Sequence, residues 1–192
     1  MIVALAGRRI DVVDCKHSRF PLKNAAKVQE RIRAKLIEHQ ATTLICSGAC
    51  GADLLALEAA RAIENMRLRL VLPFEPERFR QTSVIDRPGN WGAIFDRVLL
   101  EIEAAGDLVI LSLRDKSYSA YTATNQAIIE EALAIAQLTT GDCKATRNEK
   151  GSDKVIALVV WDKISHGNYD VTAHFKDEAL KCGLSVEEIA TQ

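Results

Sequence analysis

The segment TTLICSGACGADLLALEAA, Thr42 to Ala60, runs a short buried strand, a glycine-punctuated turn and an amphipathic helix together without a break. Leu44 and Ile45 carry the strand to Ser47. Gly48, Ala49 and Gly51 are small enough for main-chain N–H groups to come close to a guest. Ala52 and Asp53 then open the helix, whose first turn offers unpaired donors and the positive end of the macrodipole. A chain built this way can cradle a phosphate or another anion. A tight strand-to-helix turn that binds nothing is the competing reading.

Two familiar phosphate loops are excluded. The chain has no Gly-Lys-Ser/Thr, so it lacks a P-loop. The first strand ends in Gly7-Arg8-Arg9 rather than GxGxxG, which disfavours an ordinary NAD or FAD site. We expect no bound cofactor.

Strand and helix patterns alternate along the rest of the chain, which predicts an α/β fold: a Rossmann-like, open, mainly parallel sheet with helices on both faces, in a single domain. Strands are expected at 2–6, 44–46, 69–72, 107–113, 155–161 and 184–189. Helices are expected at 22–39, with Ala25, Val28, Ile32 and Leu36 as its core stripe, and at 52–65, 90–105, 122–137 and 171–181. Residues 73–89 read as a long irregular connection, and residues 139–153 as a polar, flexible loop. At 192 residues the chain suits one domain, and 48% apolar residues can build its core.

The 25 basic and 26 acidic residues are spread evenly and leave a net charge of −1, so nucleic acid is not the expected partner. No apolar run approaches the roughly 20 residues of a membrane span, and the expected location is the cytoplasm. The five cysteines form no CxxC pair and the four histidines no HExxH, so we expect reduced thiols and no metal. Cys46 and Cys50 flank the cradle, either as reactive thiols or as buried packing residues.

In open parallel sheets, ligands sit beyond the carboxyl ends of the strands, and residues following the strands are the candidates. Arg8 and Arg9 suit a phosphate clamp or salt bridges to Asp11 or Asp14. Arg78, Arg80 and Arg87 are interleaved with Glu75, Glu77 and Asp86, so a solvated face competes with a pocket role. Phe74 and Trp91 can stack on a base or anchor packing. Tyr121 and Asn125 can meet a base or ribose, or serve as helix caps. Asp170 or Thr172 can cap the last helix. Asp53 and Asp162 are the best carboxylates for catalysis, with capping as their rival role.

GRRID, CSGACGADLLALEAA, VLPFEPERFRQTSVIDRPGNWG and AYTATNQAIIEEA together resemble the SLOG superfamily, which groups the DNA-processing Smf/DprA proteins with the cytokinin-activating LOG enzymes. The resemblance spans about residues 1 to 185. It implies a Rossmann-like domain that binds a nucleotide or nucleotide-derived small molecule, with Ser47, Gly48, Gly51, Ala52 and Asp53 as the phosphate-holding element. Roles in such families include bacterial defence and signalling sensors that report to a partner effector protein, and homodimers are common. LOG-type hydrolases carry PGGxGTxxE; the matching SHGNYDVTAHFKDEA keeps Gly167 and Thr172 but lacks the PGG and its Glu. The leading expectation is therefore a binding or sensor domain. The alternatives are an N-glycosidic, phosphoribohydrolase-like hydrolase or transferase, and a scaffold with a closed rim. The resulting ligand set is Gly7, Arg8, Arg9, Ser47, Gly48, Ala49, Gly51, Ala52, Asp53, Phe74, Arg78, Arg87, Trp91, Tyr121, Asn125, Gly167, Asp170 and Thr172, with the catalytic residues left unassigned.

Overall fold

The computed structural model describes residues 1–114, 117–140 and 154–192. It is an α/β fold with six parallel strands in the order β4-β3-β2-β1-β5-β6. The strands are β1 (Ile2–Gly7), β2 (Thr43–Cys46), β3 (Arg67–Leu72), β4 (Leu108–Ile110), β5 (Val155–Trp161) and β6 (Ser185–Ala190). β1 pairs with β2 on one side, Ile2 opposite Thr43, and with β5 on the other, Ile2 opposite Val155. The chain leaves β1 toward β2 and later returns to lay β5 along its other edge. The strand order therefore switches at β1, where an open parallel sheet leaves a crevice.

Helices cover both faces. α1 (Ala25–Glu38), α2 (Ala52–Arg61) and α4 (Trp91–Ala104) pack with Val3, Leu5, Leu44 and Leu70 in one core. α5 (Tyr118–Thr140) and α6 (Val171–Lys181) pack with Ala4, Ile45, Val71 and Val159 in the other. Strand alternation separates these two sets, since successive side chains point to opposite faces. β5 is buried along its whole length, matching its uninterrupted apolar run. In α1, Val28, Ile32 and Leu36 form the buried stripe, while Ala25 is partly buried at its edge.

Several boundaries depart from the sequence expectation. α1 is preceded by a single 3₁₀ turn, Leu22–Asn24, and α2 stops at Arg61 rather than Asn65. Residues 73–89 are not irregular throughout: α3 (Pro76–Phe79) runs into a π-helical stretch, Arg80–Val84. Pro76 occupies the first turn of α3, where its missing N–H has no helical partner to lose. β4 is shorter than expected because Ser112 takes a positive φ of 53°. α5 starts four residues early and reaches Thr140, so it takes in the first two residues of the expected loop; residues 141–153 lie outside the described residues. No helix among the described residues is long and apolar enough to cross a membrane.

Candidate functional site

A cavity of about 570 Å³ opens at the carboxyl ends of β1 and β2. Its walls are the segment after β1, the β2–α2 turn, the α3 and π-helical connection, and the first turns of α5 and α6. This size suits a small-molecule ligand.

Arg8 stands at the switch point, and its backbone N–H donates to the Val160 carbonyl at 2.7 Å. The side chain is buried. Its Nε donates to Asp162 at 2.9 Å, Nη1 and Nη2 donate to the two carboxylate oxygens of Asp170 at 2.6 and 2.7 Å, and Nη2 also donates to the Ile164 carbonyl at 2.8 Å. Four of its five N–H donors are therefore engaged within the protein. Arg8 lines the cavity as a structural cation, and its partners are Asp162 and Asp170 rather than the expected Asp11 or Asp14. Asp11 instead accepts from Ser18 Oγ and from the Arg19 and Phe20 N–H groups, closing its own loop.

Asp170 is the N-cap of α6. Its carboxylate accepts from the N–H groups of Thr172 and Ala173, both at 3.0 Å, and of His166 at 2.9 Å. Burial works to raise its pKa, but Arg8 and these N–H donors outweigh burial and hold it down to about 2. Asp162 likewise stays below its ordinary value despite burial, through hydrogen bonds from His166 and Arg8. Its second oxygen meets His166 Nε2 at 2.6 Å. The anion place at the start of α6 is thus filled by the protein's own carboxylate.

The β2–α2 turn is arranged on the same plan with a different outcome. Asp53 Oδ2 accepts from Ser47 Oγ at 2.6 Å and from the Ala49 N–H at 3.3 Å. Burial raises the Asp53 pKa to about 6, opposed by the Ser47 hydroxyl and by the turn's N–H groups. Gly48 and Gly51 have φ of 76° and 102°, a region that side chains other than glycine's rarely adopt. A Cβ on Gly51 would lie 2.7 Å from the Arg8 carbonyl and 2.8 Å from the Ile10 N. Gly51 thus serves the close approach of two protein segments, not the approach of a guest. Gly7 does the same for buried Ala52 and for Val160, because a Cβ there would collide with the Ala52 Cβ and sit 2.6 Å from the Val160 carbonyl.

A second wall carries uncompensated charge. Arg9 and Arg87 face one carboxylate, Asp86: Arg9 Nη2 is hydrogen-bonded to it, while Arg87 Nε stands 3.8 Å away. Among the described residues, the buried Arg87 Nε has no hydrogen-bond partner. Arg9 Nε also reaches Cys50 Sγ at 3.4 Å. Burial pushes the Cys50 thiol up, against the pull of Arg9, and pushes Cys46 well up, so both favour the neutral form and suit packing rather than nucleophilic attack.

The remaining candidates divide. Tyr121 lines the cavity with its hydroxyl 3.3 Å from that of buried Ser83. Asn125 also lines it but lies two turns into α5, so it is no cap; its Nδ2 donates to the Val171 carbonyl at 2.8 Å and ties α5 to α6. Ser47, Ala49 and Thr172 line the cavity too; Gly48, Gly167 and Arg78 do not. Phe74 and Trp91 are buried core residues off the cavity wall: Phe74 packs against Phe79, and Trp91 Nε1 donates to the Pro88 carbonyl. Arg78 lies over the Phe74 ring and donates to the Arg114 carbonyl. Arg80 pairs with Asp96. Sequence reasoning passed over Lys16, His17, Arg19 and Tyr169, which also line the cavity. The basic run after β1 was a readable signal for the first three.

Among the described residues, Glu38, His39 and Glu187 have ligand atoms within 4.8 Å of one another. Lys35 Nζ already bridges Glu38 and Glu187, at 2.8 and 2.9 Å, and supplies the positive charge there.

No known protein family model matches the chain, and no curated protein is significantly similar to it.

Proposed function

We propose that the cavity binds a nucleotide or nucleotide-derived small molecule. The observation that carries this reading is the wall on which Arg9 and Arg87 share the carboxylate of Asp86, leaving a net positive charge and an Arg87 Nε that makes no hydrogen bond among the described residues. A phosphate is the natural complement of such a wall, because a guanidinium offers it parallel donors. The position at a switch in strand order supports the same reading, as does the resemblance to the SLOG superfamily. The phosphate contact falls on the arginine wall, because Asp53 already occupies the N–H groups of the β2–α2 turn. A cytoplasmic sensor that reports to a partner protein fits a site whose Arg8–Asp162–Asp170 network is structural. Thermal-shift titration with adenosine monophosphate, ADP-ribose and cyclic dinucleotides tests the reading. Stabilisation by at least one of them is expected, and stabilisation by none contradicts it.

One observation favours a second reading, cleavage of an N-glycosidic bond. Asp53 is a buried cavity carboxylic acid whose pKa of about 6 suits proton transfer near neutral pH. In that reaction the Asp53 carboxylic acid protonates the departing base as the C1′–N bond breaks, and the water that adds to C1′ gives up a proton to the Asp53 carboxylate, which restores the acid. Release of free base from adenosine monophosphate, abolished in Asp53→Asn, would establish this reading. Binding without turnover would leave the sensor.

A further inference from the structure

Tyr169 has a use that folding does not explain. Every Phe and Trp of the chain is buried, and Tyr118 and Tyr121 are half-buried, but Tyr169 is 81% exposed. It stands at the lip of the cavity. So exposed a ring gains little from the hydrophobic effect, yet it is well anchored. Its chain neighbour Asp170 is held by Arg8 and by three backbone N–H groups. Tyr118 meets it edge to face at 5.4 Å, and Tyr118 in turn meets the His174 ring at 6.2 Å. With so little of the ring covered, at least one of its faces is open.

Resting on the nucleotide reading above, we infer that Tyr169 is the specificity-determining contact for the ligand's heterocyclic base. Strand order supplies the geometry. Arg87 comes from the β3–α4 connection, on the β2 side of β1, and Tyr169 from the β5–α6 loop, on the other side. The ligand then lies across the end of β1, its phosphate toward Arg9 and Arg87 and its base on the Tyr169 face. Base stacking on aromatic side chains tolerates different bases, since each has a π face. The site accordingly selects a heteroaromatic ring ahead of any one base edge.

The test is calorimetry with adenosine monophosphate on the wild type, Tyr169→Ala and Tyr169→Phe, with ribose 5-phosphate measured by displacement of the nucleotide. Loss of the stacked ring should weaken adenosine monophosphate about tenfold in Tyr169→Ala, while Tyr169→Phe keeps wild-type affinity. Ribose 5-phosphate should bind all three proteins alike. Unchanged nucleotide affinity in Tyr169→Ala would overturn the inference and leave the nucleotide reading intact, and an equal loss for both probes would overturn it as well. A wild type that binds neither of these probes nor ADP-ribose or a cyclic dinucleotide would overturn both. Circular dichroism of the three proteins controls for folding.

Discussion

At the start of α6 Asp170 accepts backbone N–H groups and a bidentate guanidinium; at the start of α2 Asp53 accepts a hydroxyl and the Ala49 N–H and, among the described residues, no cation. Both carboxylates are buried, yet one is held down to about 2 and the other raised to about 6. Neutral hydrogen bonds do not offset the desolvation of the more deeply buried Asp53, whereas Arg8 together with the N–H groups of Ala173 and His166 does so for Asp170. The glycines of the two regions differ in the same sense. A Cβ on Gly51 would strike backbone, whereas one on Gly167, at φ 90°, would meet open space. The α6 side is an ion-paired brace. The α2 side is a tightly packed turn with a titratable group on the cavity.

Arg8→Met should produce the largest effect, because it leaves Asp162 and Asp170 buried without their cation. Breaking a buried pair in this way costs about 3 to 5 kcal/mol, which urea unfolding at pH 7 would register. A loss under about 1 kcal/mol would mean that the brace is not what separates the two aspartates.

Gly51→Ala comes next. Steric conflict with the Arg8 carbonyl and a backbone region reserved for glycine together cost about 3 kcal/mol. Gly167→Ala has only the backbone cost to bear, about 1 kcal/mol. Equal losses for the two variants in parallel denaturation curves would show that the α2 turn is no more tightly packed than the α6 loop. Gly51→Asp carries at least the penalty of Gly51→Ala, since its Cβ meets the same backbone atoms.

The pH dependence has opposite signs at the two sites. Asp53 holds its proton to higher pH in the folded chain than in the unfolded one, so its contribution is fully present at low pH and is lost as pH rises from about 4 to about 6. The contribution of Asp170 is present above about pH 4 and is lost as pH falls toward 2. Asp53→Asn should therefore remove about 2 to 3 kcal/mol of the decline in stability between pH 4 and pH 7. A variant whose pH profile parallels the wild type would place the Asp53 pKa near its ordinary value.

Arg87→Ala should have the smallest effect on stability, within about 0.5 kcal/mol, because Arg87 Nε has no hydrogen bond to lose. Its effect on the affinity for adenosine monophosphate should nonetheless be about tenfold, the value of one lost charge-assisted hydrogen bond. A thermal melt and a calorimetric titration on one preparation would separate the two.

Local signals carried the reading of the sheet. The apolar run of β5 and the stripe of Val28, Ile32 and Leu36 each depend on near neighbours, and each was legible in the sequence. The site depends on distant ones. Arg8 meets carboxylates 154 and 162 positions away, a pairing set by β5 lying beside β1 rather than by any local pattern. Asp53 was legible as a residue of the first helical turn, with capping hydrogen bonds as one of its two roles, and it takes the Ser47 hydroxyl and the Ala49 N–H of the turn. Phe74 and Trp91 had the composition of stacking residues and proved to be core, whereas Tyr169, in an unpatterned loop, gave no signal of its exposure. Residues 73–89 read as an irregular connection although Pro76 opens a short helix within them, because proline suits both contexts.

The most direct measurement is an electron-density map of crystals grown with adenosine monophosphate. The account predicts density across the end of β1, with the phosphate at Arg9 and Arg87 and the adenine against Tyr169. An empty cavity at saturating ligand, or the nucleotide bound on another face, would contradict it.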